Sequence, residues 1–331
     1  MHGEEHRRNR RLILPAMQKK AIEPLCDAMV DVAERVLARY AVGQTRDVAA
    51  DMKDVARQIS AAALFGIADL DEAERLGRRV EDWLADSYRL GPRVLPYDLP
   101  GSPYRAMLRK AEALERVALE LFERKRAEGY AGSDLLTHLV RELDHGDALT
   151  LEELLGHLHI FFLAAHETTS YALAWTVMLL AQHPDVLETV AGEVHDVLGD
   201  ARPTPALLER LGALDAAIDE SLRMFPIVPF GARIATEALQ IEGRPVPRKA
   251  RSLIPFVARH HDAARFAQPR RFDPQRFRSA QAATGALPPF SYLPFSAGLH
   301  MCVGVPFARQ SMSVALACLL QRFSVQLVDG V

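Results

Sequence analysis

The sequence predicts a mainly α-helical protein with small β-sheets, folded as one domain. Through the first two-thirds of the chain, apolar residues recur three and four positions apart, which is the period of an amphipathic helix. From Pro226 onward, proline, glycine and β-branched residues become frequent, which is typical of short strands and turns. No internal repeat, low-complexity tract or linker divides the chain, so we expect a single domain over residues 1–331.

The predicted helices follow one another between glycine and proline turns. The helical spacing covers residues 18–40, 51–65, 71–89 and 103–128, with further helices over 184–198, 211–224 and about 303–322. Between these groups, Thr150 and Glu153 have the spacing of a capping box and open a segment without proline that runs to residue 182. That segment has roughly 33 residues, or about 50 Å of helix, enough to cross a whole domain. Residues 262–302 are expected to be rich in loops.

Composition excludes several classes of protein. The chain has 331 residues, of which 49% are hydrophobic and 25% charged, and its net charge of −3 with scattered basic residues gives no sign of a nucleic-acid partner. Its three cysteines, Cys26, Cys302 and Cys318, are too few and too distant for a disulfide framework, which favours a reducing, cytoplasmic location. We expect no signal peptide, because the N-terminus is charged from its first residues. We expect no membrane anchor, because the most apolar stretch carries His166 and Glu167 at its middle.

The most informative stretch is PFSAGLHMCVG, residues 294–304, in which one cysteine stands among glycines. A lone thiol can be a packing residue, a nucleophile, half of a disulfide or a metal ligand. Cys302 directly precedes the last predicted helix, where unpaired N–H groups and the helix dipole stabilise a thiolate. Gly298 and Gly304 allow a large flat ligand to approach the backbone closely. Such a thiolate suits an axial haem ligand, whereas a buried free cysteine is the structural alternative.

This stretch resembles the haem-binding loop of the cytochrome P-450 family, F-x-x-G-x-[RH]-x-C-x-G. Phe295, Gly298, His300, Cys302 and Gly304 occupy its five defined places. The resemblance implies haem b (iron protoporphyrin IX) as cofactor, with Cys302 as the iron ligand. It also implies the cytochrome P-450 fold, in which a long central helix lies over the haem.

A second segment, AAHETTS, lies within the long helix and resembles the oxygen-activating [AG]-G-x-[DE]-T stretch of the same family. Ala164 and Ala165 leave room beside the helix for a ligand, and Ala165 replaces the usual glycine. The resemblance makes Glu167 and Thr168 the catalytic pair, since an acid next to a hydroxyl can relay protons. The alternative is a polar interruption of a core helix. A zinc motif H-E-x-x-H is excluded, because Ser170 stands where it needs histidine.

A third segment, ESLR, places Glu220 and Arg223 on one helix face. As an exposed pair they would contribute only a few tenths of a kcal/mol. Downstream, RRFDPQRF resembles the family's P-E-R-F segment and adds Arg276. The resemblance implies a buried, structural triad that fixes the cysteine loop.

The remaining site residues are basic. His6 and Arg10 lie four apart in HRRNR and resemble the family's helix that binds haem propionates. Arg233 and His300 match two further propionate-binding positions, and propionates need charge-assisted partners when they are partly buried. The alternative is a solvated basic face.

The resemblance implies a soluble, bacterial-type monooxygenase that inserts one atom of O₂ into an apolar organic substrate. Electrons would come from a separate partner, either a ferredoxin with its ferredoxin reductase or a flavin reductase. Two alternatives stay open, namely a haem-thiolate enzyme that uses peroxide or catalyses a rearrangement, and an inactive haem-binding remnant. The chain is also expected to lack the family's N-terminal β and helical elements and its closing C-terminal β-hairpin.

Overall fold

A computed structural model describes residues 3–145, 149–282 and 287–328. Within these ranges the chain is mostly helical, as predicted. The α-helices are α1 (Gly3–Met17), α2 (Lys19–Ile22), α3 (Cys26–Leu37), α4 (Val48–Phe65), α5 (Leu70–Tyr88), α6 (Leu90–Val94), α7 (Pro103–Ala127), α8 (Leu135–His145), α9 (Leu151–Gln182), α10 (Pro184–Leu198), α11 (Pro205–Leu208), α12 (Gly212–Met224), α13 (Phe256–His260), α14 (Gln275–Ala282) and α15 (Val305–Arg322). Short 3₁₀ turns form at Glu23–Leu25 and Gly298–His300.

The long central helix is α9, which has 32 residues. Its capping box is present, because the Thr150 hydroxyl accepts from the Glu153 N–H while the Glu153 carboxylate accepts from the Thr150 N–H. The helices α4, α12 and α15 pack against it. Its leucines, such as Leu154, Leu173 and Leu180, are buried in the main core. The prediction of one central helix over residues 150–182 is therefore confirmed.

Two small antiparallel sheets follow α12. In the first, β1 (Phe230–Ile234) pairs with β4 (Arg251–Pro255). In the second, β2 (Leu239–Ile241) and β3 (Arg244–Val246) form a hairpin. Glu242 and Gly243 connect that hairpin with φ of 48° and 76°, the left-handed conformation that two-residue hairpin loops require. These sheets confirm the predicted small β portion.

One predicted boundary is wrong. Residues 18–40 are not one helix, because Pro24 has no N–H to donate and the chain passes through a 3₁₀ turn between α2 and α3. The described residues of 262–302 are rich in loops, as expected, and they also contain α14 and the turn at Gly298–His300.

The first helix is attached to the central helix at buried positions. The His157 Nε2 and Asn9 Oδ1 atoms lie 2.9 Å apart, and both residues are buried. Arg8 also donates to the Glu153 carboxylate. These contacts bring the basic face of α1 toward the cysteine loop. Among the described residues, no helix has the length and apolar character needed to cross a bilayer.

Candidate active site

An apolar cavity of about 350 Å³ opens between α9, the start of α15 and the cysteine loop. Seven of the predicted site residues line it. They are Ala164, Ala165, Thr168, Phe295, His300, Cys302 and Gly304. The cavity therefore joins the two sequence segments that carry the resemblance, which lie more than a hundred residues apart in the chain.

The thiol of Cys302 is exposed to this cavity. Its backbone N–H donates to the Phe295 carbonyl at 2.9 Å, which closes the loop around it. Gly298 makes the turn possible, because its φ of 71° is a left-handed conformation that favours glycine. Burial raises the pKa of the Cys302 thiol, while the Gly304 N–H and the charge of Arg10 oppose that rise. The loop thus holds a sulfur atom facing the cavity, with a backbone donor beside it.

Three small side chains of α9 form part of the cavity wall. Thr168 lies on the same side of the helix as Ala164 and Ala165, because it follows them by four and three residues. The Thr168 hydroxyl donates to the Ala164 carbonyl at 2.6 Å. Its oxygen keeps lone pairs that can accept a proton or a hydrogen bond from a group in the cavity. This wall has room for a flat ligand and one hydroxyl to act on it.

Glu167 does not line the cavity. Successive helical residues point about 100° apart, so Glu167 and Thr168 face different surroundings. The Glu167 carboxylate lies 3.4 Å from His166 Nε2 and accepts from the Tyr171 hydroxyl at 3.4 Å. Its catalytic role stays a prediction, and a proton leaving it reaches the cavity only through another group or a rotation of the side chain.

The predicted propionate-binding residues divide into two sets. The His6 and His300 rings lie 4.3 Å apart, and Arg10 donates to the Met301 carbonyl at 2.8 Å, so all three gather beside Cys302. Arg233 instead lies exposed on β1, where it donates to the Ala232 carbonyl at 2.8 Å. It does not line the cavity, and its role in binding propionates stays a prediction.

The structure assembles the predicted charged triad. Arg223 donates to both oxygens of Glu220, at 2.7 and 2.9 Å, and both side chains are fully buried. Arg276 Nε donates to the same carboxylate at 3.0 Å, and the Asp273 N–H donates to it at 3.0 Å. Every oxygen of this buried carboxylate is therefore hydrogen-bonded, which is the condition under which a buried charge is tolerated.

Sequence reasoning missed His260, which joins the triad to the cysteine loop. Arg223 donates to the His260 carbonyl at 2.7 Å, and His260 Nδ1 donates back to the Arg223 carbonyl at 3.2 Å. Its Nε2 then accepts from the N–H of Leu293 at 2.8 Å, directly before the loop. Burial lowers the pKa of His260 to about 4, which keeps this ring neutral and accepting. No spacing in the segment ARHH, residues 258–261, predicted that His260 would join the triad to the cysteine loop.

The residues fit an iron porphyrin. A thiol faces an apolar space, small side chains form another part of its wall, and basic side chains stand at the edge beside the thiol. An apolar space suits the macrocycle, and imidazole and guanidinium groups suit its carboxylates. Cys302 would bind the iron, and His6, Arg10 and His300 would hold the carboxylates.

Comparisons with known proteins agree with this geometry. The Cytochrome P450 family model matches residues 1–331. The cyclooctat-9-en-7-ol 5-monooxygenase of Streptomyces melanosporofaciens is 31% identical over 337 residues, covering 99% of this chain and 72% of that protein. The abscisic acid 8'-hydroxylase 2 of Oryza sativa subsp. indica is 29% identical, covering 99% of this chain and 65% of that protein. The crystal structure of the cytochrome P450DA haem domain superposes with a TM-score of 0.80 at 26% identity, covering 94% of this chain and 69% of that one.

Proposed function

This chain belongs to the cytochrome P450 family of haem monooxygenases, and we propose that it inserts one oxygen atom from O₂ into an apolar organic substrate. The family and the fold imply a haem cofactor. The electrons come from a separate redox partner, either a ferredoxin with its reductase or a flavin reductase. A cytoplasmic location stays a prediction.

One observation carries the proposal, namely that the Cys302 thiol and the Thr168 hydroxyl face the same apolar cavity. When bound, haem supplies the iron at which O₂ is activated, and a thiolate ligand favours cleavage of the O–O bond. Cys302 is the residue that provides this thiolate. The Gly304 N–H stabilises the thiolate charge, and the bond from the Cys302 N–H to the Phe295 carbonyl fixes its direction.

The other site residues would hold the cofactor, leave room in the cavity and handle a proton. His6, Arg10 and His300, which gather beside Cys302, would hold the cofactor's carboxylates. Ala164 and Ala165, with their small side chains, leave room in the cavity for the cofactor and a substrate. Thr168 holds or moves a proton at Oγ1, its proton being anchored on the Ala164 carbonyl until a better acceptor enters the cavity.

The cavity supports an apolar substrate. The lining is overwhelmingly apolar and includes Ile160 of α9, Ile227 and Val228 just before β1, and Phe256 of α13. Such a pocket selects by shape and offers few polar groups to orient a ligand. The Streptomyces relative, named for an alcohol that is otherwise hydrocarbon, supports the same substrate class.

The thiolate is tested by the absorbance spectrum of the reduced, carbon monoxide-treated protein, whose Soret position reports the axial ligand. The wild type should give the thiolate position. Cys302→Ser should lose it, and Cys318→Ser, which alters a buried cysteine of α15 outside the cavity, should keep it. If Cys302→Ser keeps the wild-type spectrum, the proposed function is wrong.

The reaction type is tested next. A panel of apolar compounds (fatty acids, terpenes and 7-ethoxycoumarin) is added to the ferric protein, and the compound with the largest spectral shift is carried into turnover assays. A monooxygenase forms product with O₂, NAD(P)H and a surrogate reductase system. Product with peroxide alone, and none with the reductase system, would instead show a peroxide-using enzyme.

A further inference from the structure

His166 is a fully buried titratable group of α9 that the proposed mechanism does not use. Its Nδ1 lies 2.8 Å from the Phe162 carbonyl, which can only accept, so Nδ1 carries the hydrogen. Its Nε2 is buried and has no hydrogen-bond partner among the described residues. A buried polar atom without a hydrogen-bond partner is unfavourable, so the presence of a histidine at this buried position needs an explanation.

Two carboxylates face Nε2. Glu167 Oε2, from the same helix, lies 3.4 Å away. Glu81 Oε1, from α5, lies 3.8 Å away, and in the described part of the chain this oxygen also lacks a hydrogen-bond partner. Both distances exceed a hydrogen bond by less than about 1 Å, which a small side-chain rotation or one bridging water closes.

Glu81 lies among charged side chains that are partly exposed to solvent. Lys53 Nζ lies 3.1 Å from Glu81 Oε2, and Arg57 Nη1 lies 3.8 Å from Glu81 Oε1. Asp54 balances Arg57 at 2.6 Å. The side chains of Lys53 and Glu81 are 37% and 27% exposed, so this end of the group exchanges protons with water. The buried member of the group is His166, whereas the Glu167 side chain is 27% exposed, as that of Glu81 is. Glu167 is next in sequence to the cavity-facing Thr168.

The hydrogen bonds that His166 Nε2 can form with the Glu167 and Glu81 carboxylates depend on where the protons are. With Nδ1 donating to the backbone, a neutral ring presents only a lone pair at Nε2. That lone pair and the two carboxylate oxygens are all acceptors, and they attract one another only when a proton lies between them. Burial lowers the pKa of His166, Lys53 opposes protonation as well, and Glu167 and Glu81 favour it. The bound proton is therefore held loosely and can be passed on.

We propose that His166 is a positioning residue for oxygen activation, one that shares a proton with Glu167 and restores it from Glu81; this role rests on the proposed function. A proton taken up from water by the Glu81 carboxylate passes to His166 Nε2. The Nε2–H proton then passes to Glu167 Oε2, leaving a neutral imidazole. No other bond changes, and Glu167 becomes the donor that serves the Thr168 side of the helix.

The proton sharing is tested without turnover. Ring ¹⁵N resonances of histidine-labelled protein are followed against pH in the reduced, carbon monoxide-bound form, and His166→Gln assigns the His166 signals. Nδ1 should be protonated and Nε2 bare at high pH, and Nε2 should gain a proton as pH falls. In Glu167→Gln and in Glu81→Gln the midpoint should move to lower pH, because each variant removes a charge that favours the protonated ring. An imidazole that stays neutral until acid unfolds the protein, or a midpoint unmoved in both variants, would overturn the proposal.

The relay is tested by turnover with the compound selected above. His166→Gln should lower product formed per NAD(P)H by roughly tenfold or more and release hydrogen peroxide instead, with a larger solvent isotope effect in D₂O. The matched control is His157→Gln, on the same helix and also buried, which faces Asn9 rather than a carboxylate and should leave the isotope effect unchanged. Wild-type coupling and isotope effect in His166→Gln would overturn the relay.

The outcomes separate this proposal from the proposed function. If the wild type lacks the thiolate spectrum or oxidises nothing, the monooxygenase assignment fails, while the ¹⁵N titration still reports whether His166 shares a proton with Glu167. If His166→Gln does not fold, Glu81→Gln carries the turnover test, because it changes the carboxylate from which His166 would receive the proton.

Discussion

The buried environment of His260 predicts that the folded protein loses stability in mild acid. Its ring is fully buried, donates from Nδ1 to the Arg223 carbonyl and accepts at Nε2 from the N–H of Leu293. Burial lowers its pKa to about 4, below the value of about 6.5 for an unfolded histidine. Protonation would also place a second donor against the Leu293 N–H. Between these two pH values the unfolded chain binds a proton that the folded protein does not.

The sign and size follow from linkage. Because the unfolded state binds more protons, the free energy of unfolding falls as pH falls from about 6.5 towards 4. A group with these two pKa values removes about 2 kcal/mol between pH 7 and pH 5. Below pH 4 the loss levels off at about 3 kcal/mol, because both states then carry the proton.

The assay is urea unfolding at pH 7 and pH 5, followed by tryptophan fluorescence and circular dichroism. His260→Gln is the informative variant, because its amide can accept from Leu293 and donate to Arg223 but does not titrate. It should lose about 2 kcal/mol less than wild type over this range, whatever its stability at pH 7. His195→Gln, exposed on α10, should behave as wild type. Equal acid sensitivity of wild type and His260→Gln would refute the reasoning.

Three further variants test the site. Arg223→Ala leaves the buried Glu220 carboxylate without its bidentate partner, so the free energy of unfolding in urea should fall by about 3–5 kcal/mol. A fall of less than about 1 kcal/mol would show that the triad is dispensable. Thr168→Val keeps the shape of the side chain and should keep the thiolate spectrum, but it should lower product per NAD(P)H by roughly tenfold, and unchanged coupling would remove Thr168 from proton handling. Arg10→Gln loses the hydrogen bond to the Met301 carbonyl and a positive charge near Cys302. Haem should therefore transfer to excess apomyoglobin roughly fivefold faster than from wild type. An unchanged transfer rate would contradict the role of Arg10 in holding haem.

Much of the fold could be predicted from the sequence because its helices are delimited by local signals. The Thr150 capping box and the absence of proline up to residue 182 correctly defined the central helix. The same local reasoning failed at Pro24, where a helical apolar pattern continues across a residue that cannot donate its N–H. Periodicity records which side chains are buried and not whether every backbone bond can form.

The site was predictable only to the level of segments. The sequence placed Thr168 and Cys302 in one site, and the structure brings both to the same cavity. It could not show that Glu167 points away from that cavity, because the rotation of α9 is set by its packing against α4 and other helices. It could not show His260 either, whose partners Arg223 and Leu293 lie more than thirty residues away on either side.

The cysteine loop depends on contacts from elements that are distant in the chain. Arg10 of α1 holds the Met301 carbonyl, while His260 of α13 holds the Leu293 N–H. Of these two supports, the contact of His260 is the one sensitive to mild acid, because burial lowers the pKa of His260 to about 4. Acid should therefore loosen the loop that carries Cys302 before it unfolds the helices packed around α9. Loss of the haem absorbance should accordingly precede loss of the helical circular dichroism signal as pH falls, and simultaneous loss would show that the loop and the helices unfold as one unit.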